Sequence, residues 1–332
     1  MEWAIDTRLV NLNKPWKISG AEVLAKEIIY VTLKNGEYKG VGEISYGSKE
    51  NICVEDLKQE LERFASDYEN AGIVQYNELT QYLDQYDFYV PRLRLGVETA
   101  FLDYLVKATE LSPWKILGTN TVKSVDSLDS FPVFETIEEG RKLLDDADTN
   151  GVIKLKITHE TFPVQVQLIN ESKRVFVLDA NESYGSNLEL LLEHLAMIED
   201  ENVLFIEQPL YRNEFDLYKE LKEKSPIDVF LDEGIEDHRF LDPFKDLCHG
   251  VVLKTSKANG LMKTFSQLQQ AKKLGLKTML GCMVESTVGI ASLFNIAYGF
   301  DYFDFDGFTK LKDDSGPHVI WEKGKVILSN MN

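Results

Sequence analysis

The chain has 332 residues, a net charge of −19 and a hydrophobic fraction of 44%. This length favours two domains, or a barrel with an appended lid. The acidity argues against binding to a phosphate backbone, so we expect no nucleic-acid partner. No apolar run is long enough to span a bilayer, and residues 1–20 do not resemble a signal peptide. We therefore expect a cytoplasmic protein without a membrane partner.

The cysteines are few and are not arranged in pairs. Cys53, Cys248 and Cys282 are the three in the sequence, and none is separated from another by two residues. This usage fits a reducing compartment and argues against a disulfide framework or a zinc site.

Residues 1–125 predict a small α+β capping domain. Ala25–Leu33 is rich in β-branched residues, an Asn-Gly turn follows, and Tyr38–Ser45 completes a hairpin pattern. From Val54 to Leu111 apolar residues recur at spacings of three and four, which predicts mainly helices.

Beyond residue 125, predicted strands alternate with predicted helices, which indicates a parallel sheet. Eight strands favour a closed (β/α) barrel over residues 126–307, with an open doubly wound sheet as the alternative. Residues 308–332 are predicted to be a C-terminal segment that returns to the capping domain. The nucleotide-binding patterns GxGxxG and GxxxxGK[ST] follow none of the strands. The predicted strands are Pro132–Thr136, Val152–Ile157, Val175–Ala180, Val203–Glu207, Val229–Glu233, Val251–Thr255, Thr278–Met283 and Tyr302–Asp306.

Carboxylates close three consecutive predicted strands. Asp179, Glu207 and Asp232 stand at the carboxyl ends of the third, fourth and fifth strands, where barrel enzymes carry their functional groups. Because neighbouring strands lie about 5 Å apart, these side chains could converge on one cation. Oxygen ligands without histidine or cysteine suit Mg²⁺, one per subunit. The alternative is that each acid separately caps the helix that follows it.

Lysines stand on two other predicted strands. Lys154 and Lys156 share one face of the second strand, and Lys254 ends the sixth, with Lys257 close behind it. Strands two and six are opposite in an eight-stranded barrel, so a substrate between them would have an amine on each face. One lysine could remove a proton next to a carboxylate, giving a metal-stabilised enolate, and the other could return a proton to the opposite face. We assign Lys156 and Lys254 to this pair and Lys154 to stabilising the carboxylate, although a KxK segment alone is more often a solvated strand end.

Taken in order, these segments resemble the enolase superfamily in its muconate-lactonizing subgroup. The matching segments are IKLKI, VLDANES, FIEQPL, FLDEGI, VVLKTSKANGL and GCMVESTVG over about residues 150–290, and Gly40–Glu43 resembles the G-x-G-E of the family's lid. The resemblance implies an α+β capping domain over a (β/α)₇β barrel, Mg²⁺ on the three acids named above, and catalysis by two lysines. The family pattern favours Lys254 over Lys257, while Asn259-Gly260 replaces the usual Gly-Gly.

Asp304-Phe305-Asp306 on the eighth predicted strand discriminates within the subgroup. Dipeptide epimerases of the L-Ala-D/L-Glu type resemble this chain in carrying Asp-x-Asp at this position. Both aspartates share a face and could hold the α-ammonium group of a dipeptide. Cys282 falls where these enzymes place a substrate-contacting cysteine. The alternative is an exposed acidic strand end continuous with Asp301.

The resemblance therefore implies an isomerase that inverts the α-carbon of the C-terminal residue of a dipeptide, with Ala-Glu from cell-wall peptide as one candidate. Many family members carry an arginine for glutamate in the mobile loop after the first strand. That loop, about residues 13–25, contains Lys14 and Lys17 but no arginine, which leaves the preferred dipeptide open. An o-succinylbenzoate synthase or N-succinylamino acid racemase of the same superfamily is one alternative, and a muconate cycloisomerase is another. A non-catalytic peptide-binding barrel is the alternative of another class, and homo-oligomers are possible for any of these.

Overall fold

The computed structural model describes residues 1–18, 21–46, 52–199, 202–235, 240–312, 314 and 318–329. An N-terminal layer of antiparallel strands and helices is followed by an eight-stranded parallel sheet with helices around it. The predicted capping domain and (β/α)₇β barrel are confirmed. Within the described ranges, every helix is too short or too polar to cross a bilayer.

The capping domain is a three-stranded sheet packed on helices. The predicted hairpin is confirmed as the second and third strands. The predicted loop at residues 13–25 is wrong, because these residues largely extend the first two strands, and pairing gives partners to backbone groups that a loop would leave to solvent. The register shifts between Asn11 and Trp16, which marks an irregularity in the hairpin. The elements are β1 (Glu2–Ile18), β2 (Ala21–Asn35), β3 (Tyr38–Ile44), α1 (Val54–Ala71), α2 (Tyr76–Gln85), α3 (Leu93–Thr109) and α4 (Pro113–Leu117).

Two glycines of the GVGE segment allow β3 to lie directly on α3. A Cβ on Gly40 would lie 2.0 Å from the carbonyl oxygen of Ala100, and one on Gly42 would lie 2.3 Å from that of Gly96. Side chains at these positions would therefore force the helix away from the sheet. The close packing fixes Glu43, the residue that follows, against the barrel.

The barrel strands follow one another in chain order and are all parallel. Neighbouring strands pair from the first to the eighth, and Leu128 N donates a hydrogen bond of 2.8 Å to Phe303 O, which joins the two ends of the sheet. The open doubly wound sheet is therefore wrong. The strands are β5 (Asp129–Phe131), β6 (Ile153–Lys156), β7 (Phe176–Asp179), β8 (Val203–Glu207), β9 (Asp228–Leu231), β10 (Gly250–Lys254), β11 (Lys277–Gly281) and β12 (Tyr302–Asp304). The intervening helices are α5 (Ile137–Asp146), α6 (Phe162–Glu171), α7 (Leu188–Leu195), α8 (Phe215–Lys224), α9 (Thr255–Ala258), α10 (Leu261–Lys273) and α11 (Thr287–Leu293).

Two connections depart from the simple alternation. The prediction that Pro132–Thr136 is the first barrel strand is wrong, because β5 ends at Phe131 and proline cannot donate the next ladder bond. Between β9 and β10 the described residues form only a short 3₁₀ helix at Asp242–Phe244.

A third small sheet is formed near the C-terminus. It pairs β13 (Val319–Glu322) and β14 (Lys325–Leu328) with β4 (Ser124–Asp126), the strand that precedes the barrel. In addition, Leu311 forms an isolated bridge with Leu12 of β1. The domain limits at residues 125 and 307 stay a prediction.

The barrel interior is apolar below its functional end. Val177, Phe205, Phe230 and Val252 are fully buried in one cluster, with the rings of Phe205 and Phe230 stacked at 3.9 Å. Because strand residues two apart share a face, the next inward positions on these strands are the predicted functional ones, two residues later. In each of these strands the inward polar residue therefore lies nearer the carboxyl end of the barrel than the inward apolar residue.

Candidate active site

The carboxyl ends of the strands open into a cavity of about 660 Å³, which residues of the capping domain also line. Most of the sequence-predicted site residues line it, and Asp179 and Glu207 are buried beside it, 1% and 0% exposed. The sequence-predicted residues on the wall are Lys154, Lys156, Asp232, Lys254, Cys282, Asp304 and Asp306.

Strand register places the first acids side by side. Lys156 of β6 is level with Asp179 of β7, and Asp179 is level with Glu207 of β8. Asp232 follows β9 by one residue, and its backbone N–H donates to the side-chain oxygen of Gln208 at 2.9 Å. Gln208 is fully buried, so this contact fixes the end of β9 relative to β8.

Lys154 is the common partner of three buried acids. Its Nζ lies 2.9 Å from Asp179, 2.8 Å from Glu207 and 2.8 Å from Asp304. Burial alone would lower the pKa of Lys154, but the charges of Asp179, Asp304 and Glu207 raise it well above its usual value. Lys154 is therefore held as an ammonium ion within the site.

Glu207 has the least satisfied carboxylate of the group. Both its oxygens are fully buried and accept no hydrogen bond of good geometry, although the ammonium of Lys154 lies near one of them. Burial and the neighbouring charge of Asp179 raise the pKa of Glu207 to about 8. The ammonium of Lys154, shared with two other acids, therefore compensates Glu207 incompletely, and a cation could supply the remaining positive charge.

Lysines also hold the other two acids. Asp179 lies 2.5 Å from the Nζ of Lys156, and Asp232 receives hydrogen bonds of 2.8 Å from Lys254 and 2.7 Å from Lys257. Burial would raise the pKa of each aspartate, but these ammonium groups lower it. Burial would likewise lower the pKa of Lys254, whereas Asp232 and Glu207 raise it. Both aspartates are therefore ionised at neutral pH.

The chemistry of the donors suits a hard cation. Carboxylate oxygens from three neighbouring strands are the ligands that Mg²⁺ prefers. In the described ranges, however, His, Cys, Asp and Glu residues form no group of three close enough to hold a metal ion, and ammonium groups lie between the acids. The orphaned oxygens of Glu207 are the observation that fits a cation here.

Asp304 and Asp306 face the same cavity, but the predicted strand over both is too long, because β12 ends at Asp304 and Asp306 begins a 3₁₀ helix. Asp304 accepts from Lys154 and, at 3.4 Å, from the hydroxyl of Ser130. Asp306 accepts from the backbone N–H of Ser130 at 2.6 Å and lies 2.9 Å from the Nζ of Lys310. Only Oδ2 of Asp306 is engaged by the described residues, which leaves its other oxygen for a ligand.

Cys282 lines the cavity as a neutral thiol. It is buried, and burial together with the charges of Asp304 and Glu285 raises its pKa well above the usual value. A thiol in this state is a weak nucleophile, so its contribution is to shape the wall.

Sequence reasoning missed several residues of the wall. Asn181 and Glu233 follow Asp179 and Asp232 closely, and this proximity was the signal that could have found them. Lys310 follows Asp306 by four residues, a spacing that brings side chains together on a helical turn. The capping domain supplies a further set from three separate segments, at residue 16, at residue 52 and over residues 89–92. That set is Trp16, Ile52, Tyr89, Val90, Pro91 and Arg92.

Two polar residues near the ends of β6 and β11 take structural positions. His159 bonds to the carbonyl of Ser183 and does not line the cavity. Ser286 is the N-cap of α11, and its hydroxyl accepts from Val288 N.

Comparison with known proteins agrees with this architecture. Residues 140–321, more than half of the chain, match the enolase C-terminal domain-like family. An L-Ala-D/L-amino acid epimerase of Flavobacterium johnsoniae is 26% identical over 97% of this chain and 95% of its own length.

Solved structures also agree with this architecture. An enolase family member from Agrobacterium tumefaciens, with homology to dipeptide epimerases and with bound sodium and L-Ala-L-Glu, has a TM-score of 0.86 at 20% identity, covering 99% of this chain and 98% of that one. A dipeptide epimerase from Cytophaga hutchinsonii, complexed with Mg and D-Ala-L-Val, has a TM-score of 0.82 at 17% identity, covering 98% and 92%. By its barrel, by the acids and lysines at its strand ends and by this match, the chain belongs to the enolase C-terminal domain-like family.

Proposed function

We propose that this protein is a divalent-metal-dependent isomerase that epimerises dipeptides at the α-carbon of the C-terminal residue. The observation that carries the proposal is the placement of Lys156 and Lys254. They end β6 and β10, which are opposite strands of the barrel, and both line the same cavity. A substrate held between them has an amine on each face.

The cation would be held by Asp179, Glu207 and Asp232, and we propose Mg²⁺, one per subunit. These residues fit it because they offer only oxygen ligands and because the oxygens of Glu207 are buried without hydrogen-bond partners. When bound, the cation would polarise the carboxylate of the substrate and make the neighbouring α-proton more acidic.

The lysines carry the proton. One neutral amine accepts the α-proton, which leaves an enolate, and the opposite ammonium donates a proton to the other face. The charges of Asp232 and Glu207 raise the pKa of Lys254, which favours it as the proton donor for one epimer; for the opposite epimer the two lysines exchange roles. Lys154, buried among the acids, would stabilise the negative charge that develops on the substrate.

Asp304 and Asp306 would hold the α-ammonium group of the dipeptide. Both line the cavity, and Ser130 fixes one oxygen of each. Cys282 would contact the substrate as a neutral, compact side chain. The cavity wall contributed by the capping domain is mixed, with the aromatic Trp16 and the cationic Arg92, so it fits either an apolar or an acidic C-terminal side chain, including that of Ala-Glu.

Deuterium exchange tests the proposal directly. The protein is incubated in D₂O with Mg²⁺ and a pooled set of L-Ala-L-Xaa and L-Ala-D-Xaa dipeptides, and masses are read over time. A gain of one mass unit in selected dipeptides, lost with EDTA and in the double variant Lys156→Ala/Lys254→Ala, supports the proposal. No exchange in any dipeptide overturns it.

A second candidate is racemisation of N-succinylamino acids by the same two lysines. Lys310 favours it, because its Nζ lies at the end of the cavity where the N-terminal group of a substrate would bind and could pair with a succinyl carboxylate. Asp304 and Asp306 oppose it, since two carboxylates there would repel such a group. Adding N-succinylamino acids to the same exchange assay decides between the two, and a barrel that binds peptides without turnover would show exchange with neither.

A further inference from the structure

Two cavity residues that the proposed proton transfer does not use are linked to one of its lysines. Lys156 Nζ donates a hydrogen bond of 3.1 Å to the side-chain oxygen of Asn181. The side-chain nitrogen of Asn181 donates in turn to Oε1 of Glu233 at 3.0 Å. Both residues line the cavity, one after β7 and the other after β9.

The order of donors in this chain permits only one orientation of the Asn181 amide. Its oxygen must face the ammonium of Lys156, which has donors only, and its nitrogen must face the carboxylate of Glu233, which is an acceptor when ionised. The reverse orientation would oppose two donors at one end and two acceptors at the other. Glu233 therefore fixes the amide, and the amide fixes the lysine.

The structure maintains this link in spite of unfavourable local features. Asn181 has φ of 42°, in the left-handed region that asparagine tolerates better than most residues. The second oxygen of Glu233 is fully buried and accepts no hydrogen bond. A buried carboxylate oxygen without a partner is costly, so the position of Glu233 calls for a function that local stability does not explain.

The consequence for Lys156 concerns its lone pair. A neutral lysine amine has two N–H donors and one lone pair, arranged tetrahedrally with Cε. Asp179 and Asn181 accept from the Nζ of Lys156 at 2.5 Å and 3.1 Å, so they can engage both donors of the neutral amine. The lone pair is then left in the remaining direction, for which the described residues provide no hydrogen-bond partner.

We infer that Asn181 and Glu233 are positioning residues that aim the lone pair of Lys156 at one face of the substrate, an inference that rests on the proposed function. Lys254 lacks an equivalent arrangement. Its Nζ donates to Asp232, and the described part of the chain supplies no second hydrogen-bond acceptor for it. The positioning therefore serves one of the two faces.

An assay that separates the two faces tests this asymmetry. Exchange of the α-proton in D₂O with Mg²⁺ is measured from each epimer of a dipeptide that the wild-type protein exchanges. Lys156→Ala and Lys254→Ala first identify the epimer whose α-proton each lysine removes. Asn181→Ala is expected to slow exchange from the Lys156 epimer by about 10- to 100-fold, the effect of losing one charge-assisted hydrogen bond, and to leave the other epimer within about twofold.

Asn259→Ala is the matched control. Asn259 is also an asparagine in the left-handed region, with φ of 54°, and also lines the cavity, but its side-chain oxygen accepts from Arg92. This variant is expected to leave the ratio of the two exchange rates unchanged. Asn181→Asp alone places two carboxylates next to each other and is expected to disturb the ratio. Adding Glu233→Gln supplies an amide that donates to the carboxylate introduced at position 181, and is expected to restore the ratio toward the wild-type value.

The outcomes are distinguishable. If the wild-type protein exchanges neither epimer of any dipeptide, the proposed function fails. If it exchanges both, and Asn181→Ala slows both to the same extent, the function stands and the positioning role is overturned. If adding Glu233→Gln to Asn181→Asp does not bring the ratio of the two exchange rates back toward the wild-type value, the hydrogen-bond chain from Lys156 to Glu233 is also contradicted.

Discussion

Replacing Lys154 by Met is the sharpest test of how the site is held together without a cation. The change keeps most of the side-chain volume and removes the ammonium shared by Asp179, Glu207 and Asp304, at 2.8–2.9 Å from each. Removing one partner of a buried ion pair costs about 3–5 kcal/mol. Glu207 limits the loss, because it can take up a proton at neutral pH. We therefore expect the free energy of unfolding to fall by about 3 kcal/mol, and the melting temperature of this 332-residue chain by roughly 4 °C.

Calorimetry of both proteins in EDTA and in Mg²⁺ measures this loss. Lys219→Met, at an exposed position of α8, is the control and is expected to change stability by no more than about 0.5 kcal/mol. Mg²⁺ should narrow the gap between the variant and the wild-type protein, since a bound cation stabilises the folded state and replaces the lost charge. A loss below about 1 kcal/mol in EDTA would refute the view that Lys154 neutralises these acids.

Other contacts give three further predictions. Burial raises the pKa of Glu43 to about 8 and that of Glu285 to about 7, so the folded protein holds these protons more tightly than the unfolded chain. The free energy of unfolding should therefore fall as pH rises from about 4.5 to 8. Denaturant titrations measure this dependence, and the double variant Glu43→Gln/Glu285→Gln should flatten it. Gly40→Ala should destabilise the protein by about 2 kcal/mol or more, because its Cβ would lie 2.0 Å from a carbonyl oxygen of α3; a change under about 0.5 kcal/mol would contradict this packing. Asp306→Asn should raise the KM of a free-amine dipeptide about 10-fold or more. The control Asp129→Asn, outside the cavity wall, should leave the KM unchanged. Equal effects of the two variants on the KM would contradict the binding of the α-ammonium group by Asp306.

The sequence was sufficient for the arrangement of the strand ends because two simple periodicities determine it. Period-two alternation places Val177 and Asp179 on one face of β7, and Phe205 and Glu207 on one face of β8, so polar residues stand above apolar ones. The chain order of strands then gives their order in the barrel. Neither step requires knowledge of a tertiary contact.

The first barrel strand shows where such reasoning fails. β5 contains Asp129, Ser130 and Phe131, a polar sequence that does not resemble a buried strand. It forms there because Ser130 bonds to Asp304 and Asp306 from the other end of the sheet. These partners are more than 170 residues away in the chain, so local propensity carries no signal for them.

The pairing of charges was likewise beyond the sequence. Lys154 and Lys156 are two residues apart and alike in type, yet one bonds to Asp304 and the other to Asn181. Strand direction gives the face on which a lysine stands but not which of several nearby acids it meets. Arg92 lines the cavity for a similar reason, since its position depends on how the capping domain docks.

That docking has a consequence for how a substrate enters. Glu43 accepts hydrogen bonds from Ser286 N and Gly289 N at the start of α11, and Glu98 accepts from Leu261 N at the start of α10. Both carboxylates are buried, 4% and 0% exposed, and each satisfies backbone donors that a helix start otherwise leaves open. Lifting the whole capping domain would break both sets of bonds and leave buried donors without partners, at about 1–3 kcal/mol for each one. Opening of the cavity is therefore expected to involve the segments around it, including the irregular part of the β1–β2 hairpin that carries Trp16, while the body of the capping domain stays attached to the barrel.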